Sequence, residues 1–420
     1  MRIAVVGGGI AGMISWYLLR QQHQVTLFEA NDYLGGHTAT ADVVVDGQQY
    51  AIDTGFIVFN NWTYPLFNRF LAQLGVVSQH TQMSFSVKKP SQNLEYNGNT
   101  LWSLFAQKRN LFRPSFWRML RDIVRFNRVA KELLEANHPD LDLAMDDFLS
   151  RYRFGKELRD NYLLPMGAAI WSAGLAEMPA FPLRFFLQFF KNHGLLNITD
   201  RPQWSVIKGG SRSYVQKMLE QCGADGIRLN SPVQSVRRFA DRVEITLPDG
   251  SVELFDQVVF ACHSDQALSM LADASLAEQQ VLGGIGYQMN EVVLHTDPRI
   301  LPKRKAAWAA WNYQLGASST DRATLSYNMN ILQGLSADTD APTFVVTLND
   351  SQNLDPTKIL RTFHYAHPVY NHQTMLSQQR RGEINGVNRS FYCGAYWYNG
   401  FHEDGVRSAV DVAGMLGVQF

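Results

Sequence analysis

Three glycines near the start of the chain have the spacing of a loop that binds a dinucleotide. Gly7, Gly9 and Gly12 form the pattern G-x-G-x-x-G directly after the apolar run 3–6. The first glycine permits a tight turn, the second lets backbone approach a pyrophosphate, and the third allows close helix packing. Glu29 follows the next apolar run, where a carboxylate can accept hydrogen bonds from ribose hydroxyls and repel the extra phosphate of NADP. The contacts predicted in this unit are Gly7, Gly9, Ile10, Ala11, Gly12, Glu29 and Ala30.

Positioning these groups requires a strand, a turn, a helix and a second strand. Apolar periodicity predicts a buried strand over 3–6, a helix over 13–21 and a strand over 25–28. The helix N-terminus would add N–H groups and a positive dipole for a phosphate. Alternation around Asp46-Gly47 predicts a β-hairpin.

Similar patterns return late in the chain, so the nucleotide-binding domain is predicted to be discontinuous. Strands are expected over 243–247, 252–255, 258–261 and 391–394, and a closing helix over 406–416. The sequence predicts an α/β protein with a Rossmann-like domain at 1–75, 205–265 and 386–420. An inserted α+β substrate domain is predicted at 76–204 and 266–385.

The segment after Glu29 resembles the flavin amine oxidase superfamily, which includes monoamine oxidases, protoporphyrinogen oxidase and phytoene desaturases. In that family an acid, a spacer and Gly-Gly-Arg lie along the phosphates of FAD. Gly35 and Gly36 match this motif, and His37 stands where Arg or Lys is usual. The resemblance implies noncovalent FAD, with contacts from Gly35, Gly36, His37 and Thr38.

Further segments extend the resemblance to the flavin ring and the adenine. Asp53-Thr-Gly looks like the family's Asp-x-Gly turn, Lys208-Gly-Gly like its Gly-Gly turn, and Ser231-Pro-Val like a strand whose backbone meets adenine. Residues 393–395 and 400–406 resemble the C-terminal flavin motif, where a helix N-terminus stabilises negative charge on the reduced ring. The contacts implied here are Gly55, Phe56, Ile57, Val233, Ala261, Gly394, Ala395, Asp404, Gly405 and Val406.

Within the superfamily the chain is most similar to a bacterial branch of predicted FAD-binding proteins. The segments 165–172, 189–193 and 400–405 carry this likeness. Members of the branch are associated with modified fatty acids, including desaturation of methyl-branched acyl chains. The resemblance therefore implies a lipid-linked substrate.

Composition narrows the partners and the compartment. Lys plus Arg equals Asp plus Glu at 38 each, which gives no reason to expect a nucleic acid partner. The 3 cysteines lack the spacing of a zinc site or a disulfide framework, so a cytoplasmic protein without a metal is expected. His364 and His367 could share a helical turn as metal ligands, but no third ligand has convincing spacing. Neither a signal peptide nor a membrane span is predicted.

One segment departs from this neutrality. Between Lys108 and Lys131 eight basic residues face a single acid, Asp122. Arg118, Arg121, Arg125 and Arg128 have helical spacing on one face. This stripe could be a solvated face, or it could contact an anionic membrane peripherally.

We expect an oxidoreductase in which FAD takes a hydride at N5 from an apolar or lipid-linked substrate, leaving an alkene. Amine oxidation to an imine is an alternative, and a redox-silent FAD-binding protein is another. No catalytic base is assigned. The candidates for a substrate wall are Trp397, Tyr398, Phe401 and His402.

Overall fold

The computed structural model describes residues 1–171, 174–315, 324–335 and 341–420. Ser172, the last residue of the segment 165–172, lies outside these ranges. The strands of the described residues are β1 (Arg2–Val6), β2 (Gln24–Phe28), β3 (Thr40–Val45), β4 (Gln48–Asp53), β5 (Phe59–Asn60), β6 (Ser78–Thr81), β7 (Phe85–Lys89), β8 (Leu94–Asn97), β9 (Trp204–Ile207), β10 (Ile227–Arg228), β11 (Ser235–Arg238), β12 (Val243–Thr246), β13 (Val252–Phe255), β14 (Gln257–Phe260), β15 (Tyr287–His295), β16 (Trp311–Gln314), β17 (Thr324–Asn328), β18 (Val345–Leu348), β19 (Ile359–Pro368) and β20 (Ser390–Tyr392).

The α-helices of the described residues vary from one turn to six. They are α1 (Ile10–Leu19), α2 (Pro65–Gln73), α3 (Leu101–Leu104), α4 (Pro114–Glu135), α5 (Met145–Arg151), α6 (Lys156–Leu158), α7 (Leu164–Trp171), α8 (Leu183–Asn192), α9 (Arg212–Cys222), α10 (Ser264–Met270), α11 (Leu276–Gly283), α12 (Met329–Leu332), α13 (His372–Gln379) and α14 (His402–Met415).

A parallel five-stranded sheet has the order β10-β2-β1-β14-β20. The central strand β1 is a continuous apolar run after Arg2 because both of its faces are covered, and Ile3, Ala4 and Val5 have no exposed surface. α1 and α14 pack against each other and contribute to one apolar core with β1. The chain runs outward from β1 in both directions, so the carboxyl end of β1 is the topological switch point where ligands bind in such sheets.

A second, mixed sheet has seven strands in the order β19-β15-β18-β17-β16-β7-β8. Helices α4 to α8 enclose an aromatic core, whose fully buried members include Phe126, Phe148, Phe186 and Phe190. The predicted α/β fold with a Rossmann-like domain is confirmed, while the residue boundaries proposed for the two domains stay a prediction.

Four local expectations were wrong. The first helix begins at Ile10 rather than at 13, because the turn ends at Gly9 rather than at Gly12. The closing helix begins at His402 rather than 406, because Asp404 caps it by accepting the backbone N–H of Phe401. His364 and His367 lie on the strand β19 and share no helical turn. Val233 lies outside the strands, two residues before β11.

In the ranges that the structure covers, every helix is too short or too polar to span a bilayer.

Candidate functional site

The N-terminus of α1 opens at the switch point of the parallel sheet. Gly9 is the N-cap residue and no side chain caps this end, so the first backbone N–H groups of the helix point outward. A Cβ on Gly9 would meet no atom within 4 Å, whereas a Cβ on Gly12 would collide with the carbonyl oxygen of Gly7. The turn is closed behind Gly12 and open in front of Gly9, which is a cradle for a pyrophosphate.

Glu29 follows β2 beside this cradle and is 7% exposed. Its carboxylate accepts the backbone N–H of Gly8 at 2.6 Å. It also accepts the backbone and side-chain N–H groups of Asn31, both at 2.8 Å. A carboxylate has about four acceptor positions, so Glu29 can still accept from a ribose hydroxyl while it holds the loop.

The loop of Gly35, Gly36 and His37 lies against Gly9. The backbone N–H of Gly35 donates to the carbonyl oxygen of Gly8 at 2.9 Å. Burial, with smaller contributions from His367 and His263, lowers the pKa of His37 to about 3. His37 is therefore neutral, and Nε2 is buried without a hydrogen-bond partner in the described structure. A phosphate here would be met by backbone N–H groups rather than by a cation.

The loop after β4 is joined to the His37 loop. The backbone N–H of Phe56 donates to the carbonyl oxygen of His37 at 2.7 Å, and a Cβ on Gly55 would collide with that same oxygen. Asp53 accepts the backbone N–H of Ser211 at 2.8 Å, which ties in the Gly-Gly turn before α9. Burial raises the pKa of Asp53 to about 6.

α14 begins directly beside α1. A Cβ on Gly405 would lie 2.7 Å from Cγ2 of Ile10, so the two helix N-termini meet with no space for a side chain. Asp404 accepts the N–H groups of Phe401 and Asn399, and burial raises its pKa to about 6. The positive ends of two helices therefore lie side by side at the open space in front of Gly9, which we call the cofactor crevice and where they favour negative charge.

The remaining predicted contacts follow strand ends, lie in these loops or, for Val406, lie in the first two turns of α14. Ala261 comes after β14, and its backbone N–H donates to Val6 at 2.8 Å. Val233 is partly buried, and the neighbouring Ser231 donates its backbone N–H to the carbonyl oxygen of Glu29 at 2.8 Å. The others of this set are Ala30, Thr38, Ile57, Gly394, Ala395 and Val406.

A buried hydrogen-bonded chain connects the His37 loop with α14. The hydroxyls of Thr38 and Tyr214 are 2.6 Å apart, and the Tyr214 hydroxyl is 3.0 Å from Nε2 of His402. The His402 ring stacks on Phe56 with centroids 3.7 Å apart. Burial lowers the pKa of His402 to about 3, so the ring is neutral.

The four residues predicted as a substrate wall lie in different surroundings. Trp397 is buried in the core behind the parallel sheet, next to Tyr396. The hydroxyl of Tyr398 donates to Asp411 at 2.5 Å, on the outer side of α14. Phe401 stacks on Phe189 of α8 at 5.0 Å. These four side chains do not share one surface, and their contact with substrate stays a prediction.

The structure brings a ring cluster to His37 that the sequence analysis missed. The centroids of His367 and Tyr365 lie 5.4 and 5.1 Å from that of His37, and His263 lies at 6.0 Å. The alternation of Phe363, Tyr365 and His367 was the available signal, because residues two apart on a strand share a face. Because His364 and His367 were considered as a pair on one helical turn, this strand-like alternation was not recognised.

These features fit FAD. An uncapped helix N-terminus, a carboxylate with acceptor capacity and the orphaned Nε2 of His37 border one crevice. The side chains of Cys, His, Asp and Glu in the described ranges form no group of three or more that could hold a metal ion.

Comparisons with known proteins agree with this geometry. A family model described as flavin containing amine oxidoreductase matches residues 10–361. Carotenoid phi-ring synthase of Streptomyces griseus is 28% identical over 328 residues, 72% of this chain and 59% of that protein. Zeta-carotene desaturase of Synechocystis sp. is 41% identical over 69 residues, which cover 16% of this chain and 14% of that protein. The chain therefore spans about three fifths of the length of the first relative and a small part of the second.

Among solved structures, the CLA-producing fatty acid isomerase from P. acnes superposes with a TM-score of 0.71. The likeness covers 99% of this chain and 98% of the isomerase at 15% sequence identity, which shows the fold alone. The family model matches most of the chain, so it shows the family as well as the fold. The chain belongs to the family of flavin-containing amine oxidoreductases, and its cofactor is FAD.

Proposed function

We propose that the protein is an FAD-dependent dehydrogenase that removes two hydrogens from an apolar or lipid-linked substrate and leaves an alkene. The carrying observation is the open space in front of Gly9, where the N-termini of α1 and α14 meet beside the ring cluster around His37. When bound, FAD would take one of the two hydrogens as a hydride at N5, and the other would leave as a proton to water. The named curated relatives, a phi-ring synthase and a desaturase of carotenoids, support an apolar substrate.

The chain's own residues orient the cofactor and stabilise charge. The N–H groups of α1 would bind the pyrophosphate, and Glu29 would bind a ribose hydroxyl. The N-terminus of α14 would favour the negative charge of the reduced ring. The rings of His37 and His402 are neutral, so the stabilisation of this negative charge would come from the helix N-terminus and not from these side chains.

Anaerobic titration of the purified yellow protein tests this function. We expect long-chain unsaturated lipids to bleach the oxidised flavin band, with dithionite as the positive control for reduction. Bleaching by primary amines alone would establish the alternative, oxidation of an amine to an imine, which the family description also covers. Bleaching by dithionite and by no substrate would leave a redox-silent FAD-binding protein.

We further propose that the protein collects this substrate from an anionic membrane. A surface that we call the basic aromatic patch combines exposed Trp102, Phe112 and Trp117 with Lys108, Arg109 and Arg121. Phe112 is 86% exposed and Trp102 is 77% exposed, an unusual display for a water-facing surface. Aromatic rings beside cations are the composition of a surface that lies at lipid headgroups.

The arginine stripe contributes less than its spacing indicated. Arg118 pairs with Glu157 at 2.6 Å, and Arg125 donates to the carbonyl oxygens of Tyr152 and Arg153. Arg121 is the most exposed of the four, with 75% of its side chain accessible. The proposed contact therefore centres on the aromatic residues before and at the start of α4 rather than on the stripe.

A further inference from the structure

A mostly apolar cavity of about 290 Å³ lies at the end of β19. Its lining includes Trp171, Phe181, Pro182, His367 and Tyr370. The indole Nε1 of Trp171 and the hydroxyl of Tyr370 have no hydrogen-bond partner in the described structure, although these residues are only 7% and 6% exposed. Both atoms are fully covered by protein, so of these five residues His367 is the one that offers a ligand a polar side-chain atom.

A chain of amides fixes the proton on His367. The backbone N–H of Glu291 donates to Oδ1 of Asn349 at 3.0 Å, so the amide nitrogen of Asn349 is free to donate. That nitrogen donates to Oδ1 of Asn290 at 2.8 Å. The amide nitrogen of Asn290 must then donate to Nδ1 of His367, which lies 3.1 Å away.

Because Nδ1 of His367 accepts the hydrogen bond from Asn290, Nε2 is left as the hydrogen-bond donor of the ring. Burial, with a smaller contribution from His263, lowers the pKa of His367 to about 4, so the ring is neutral. A neutral imidazole carries one proton, and Nδ1 is occupied as an acceptor. The proton is therefore on Nε2. His367 belongs both to the cavity lining and to the ring cluster around His37, so it stands between cavity and cofactor crevice.

We propose that this cavity binds an acyl chain and that the Nε2–H of His367, oriented by Asn290, donates a hydrogen bond to the chain's carboxyl or carbonyl oxygen. The proposal rests on the proposed function, because it takes this cavity as the substrate site, and it narrows the substrate to an oxygen-bearing chain. His367 is a positioning residue in this assignment.

The hydrogen-bond donor of His367 favours an oxygen-bearing chain over an amine or a hydrocarbon. An ammonium group offers donors and no acceptor, so it cannot satisfy the Nε2–H of His367. A hydrocarbon would leave that N–H unpaired. Glu177, Gln288 and Asn371 also line the cavity, and their side-chain oxygens are the features that favour an amine.

Calorimetric titration of the FAD-loaded protein with dodecanoate and with dodecylamine, both below micellar concentrations, tests the assignment. We expect dodecanoate to bind more tightly. His367→Phe should weaken dodecanoate binding by about tenfold or more, since a hydrogen bond to a charged group is lost. His367→Gln keeps an N–H donor and should recover part of the affinity. His364→Phe, on the same strand but exposed, is the matched control and should bind as the parent does.

Histidine-selective ¹⁵N NMR reads the tautomer directly. The signal of His367 is assigned as the one that is absent from the spectrum of His367→Phe. In the parent protein this signal should show the proton on Nε2. It should change in Asn290→Asp, where a carboxylate replaces the amide donor. A proton on Nδ1, tighter binding of dodecylamine, or dodecanoate binding unchanged by His367→Phe with FAD content intact would each overturn the proposal. Dodecanoate binding that depends on His367 in a protein whose flavin no substrate bleaches would overturn the proposed function alone.

Discussion

Glu29 holds its own loop as well as facing the cofactor crevice, so its replacement affects both. Glu29→Ala removes the acceptor for a ribose hydroxyl and for the N–H groups of Gly8 and Asn31. A charge-assisted hydrogen bond contributes about 1.5–3 kcal/mol, so we expect FAD to bind about tenfold more weakly or worse. Flavin fluorescence during reconstitution of the apoprotein measures this affinity. The exposed neighbour Asp32, changed to Ala, serves as the control, and equal affinity in both variants would exclude Glu29 from FAD binding.

Glu403 is a buried carboxyl whose ionisation opposes folding. It accepts the N–H groups of Leu66 and Phe67 at the start of α2, yet burial raises its pKa from the usual 4.5 to about 7. The folded protein thus keeps a proton that the unfolded chain releases between these values. Its contribution is fully present below pH 4.5 and is lost as the pH rises through 7.

The variant Glu403→Gln cannot ionise and should escape this loss. Between about pH 5 and pH 8 we expect its free energy of unfolding to improve relative to the parent by on the order of 2 to 3 kcal/mol. Denaturant melts of both proteins at the two pH values measure the change. Glu132→Gln, at an exposed position on α4, should show no such trend. A difference between Glu403→Gln and the parent that does not vary with pH would mean that Glu403 is ionised throughout.

At this scale the sequence identified residues whose chemistry depends on near neighbours. The proximity of Gly9, Glu29 and Gly36 was predictable because they follow one another along a strand, a turn, a helix and a second strand, while their contact with FAD stays a prediction. The tautomer of His367 was not, because it depends on Asn290 and Asn349, which only sheet pairing brings within hydrogen-bond distance.

At the scale of elements, the meeting of α1 and α14 defines the crevice. Gly405→Val would force a branched side chain against Ile10 and separate the two helix N-termini. We expect loss of FAD affinity and an altered flavin spectrum. Gly414→Val, in the same helix, is the matched control, because a Cβ on Gly414 meets no atom within 4 Å. Should both variants retain FAD equally, the contact between these helices would have no part in binding it.

The predicted helix and strand assignments were wrong where a side chain caps the helix or where another strand pairs with the segment. α14 begins before its apolar periodicity does, because the Asp404 carboxylate satisfies the N–H of Phe401. β19 contains histidines at a spacing that also fits a helical turn, and its strand conformation comes from pairing with β15 over the register from Tyr287 to His295. Local pattern alone does not contain that pairing.

At the scale of the whole molecule, charge balance conceals an uneven distribution. The 38 basic and 38 acidic residues cancel overall, yet the basic aromatic patch concentrates cations beside exposed rings. Trp117 is held against the segment before α4, since its indole donates to the carbonyl oxygen of Leu111 at 2.9 Å and its ring lies 5.5 Å from Phe105. The sequence predicted the local charge excess, and the structure shows Trp102, Phe112 and Trp117 exposed in the same segment.

This patch should dock the protein on anionic vesicles through two separable contributions. Each basic residue near such a surface contributes about 1 kcal/mol, and the attraction is screened beyond a Debye length of about 10 Å at 0.1 M salt. We expect Lys108→Gln with Arg121→Gln to weaken sedimentation with phosphatidylserine vesicles and to reduce its salt dependence. Trp102→Ser with Phe112→Ser should weaken the binding that persists at high salt, because that part comes from rings buried in the membrane.

Lys217→Gln with Arg237→Gln is the control, since it removes the same charge from other exposed positions and should leave sedimentation unchanged. FAD content reports whether each variant is folded. If the parent protein does not sediment with these vesicles even at low salt, the patch is no membrane contact, and the substrate must reach the cavity beside His367 from solution.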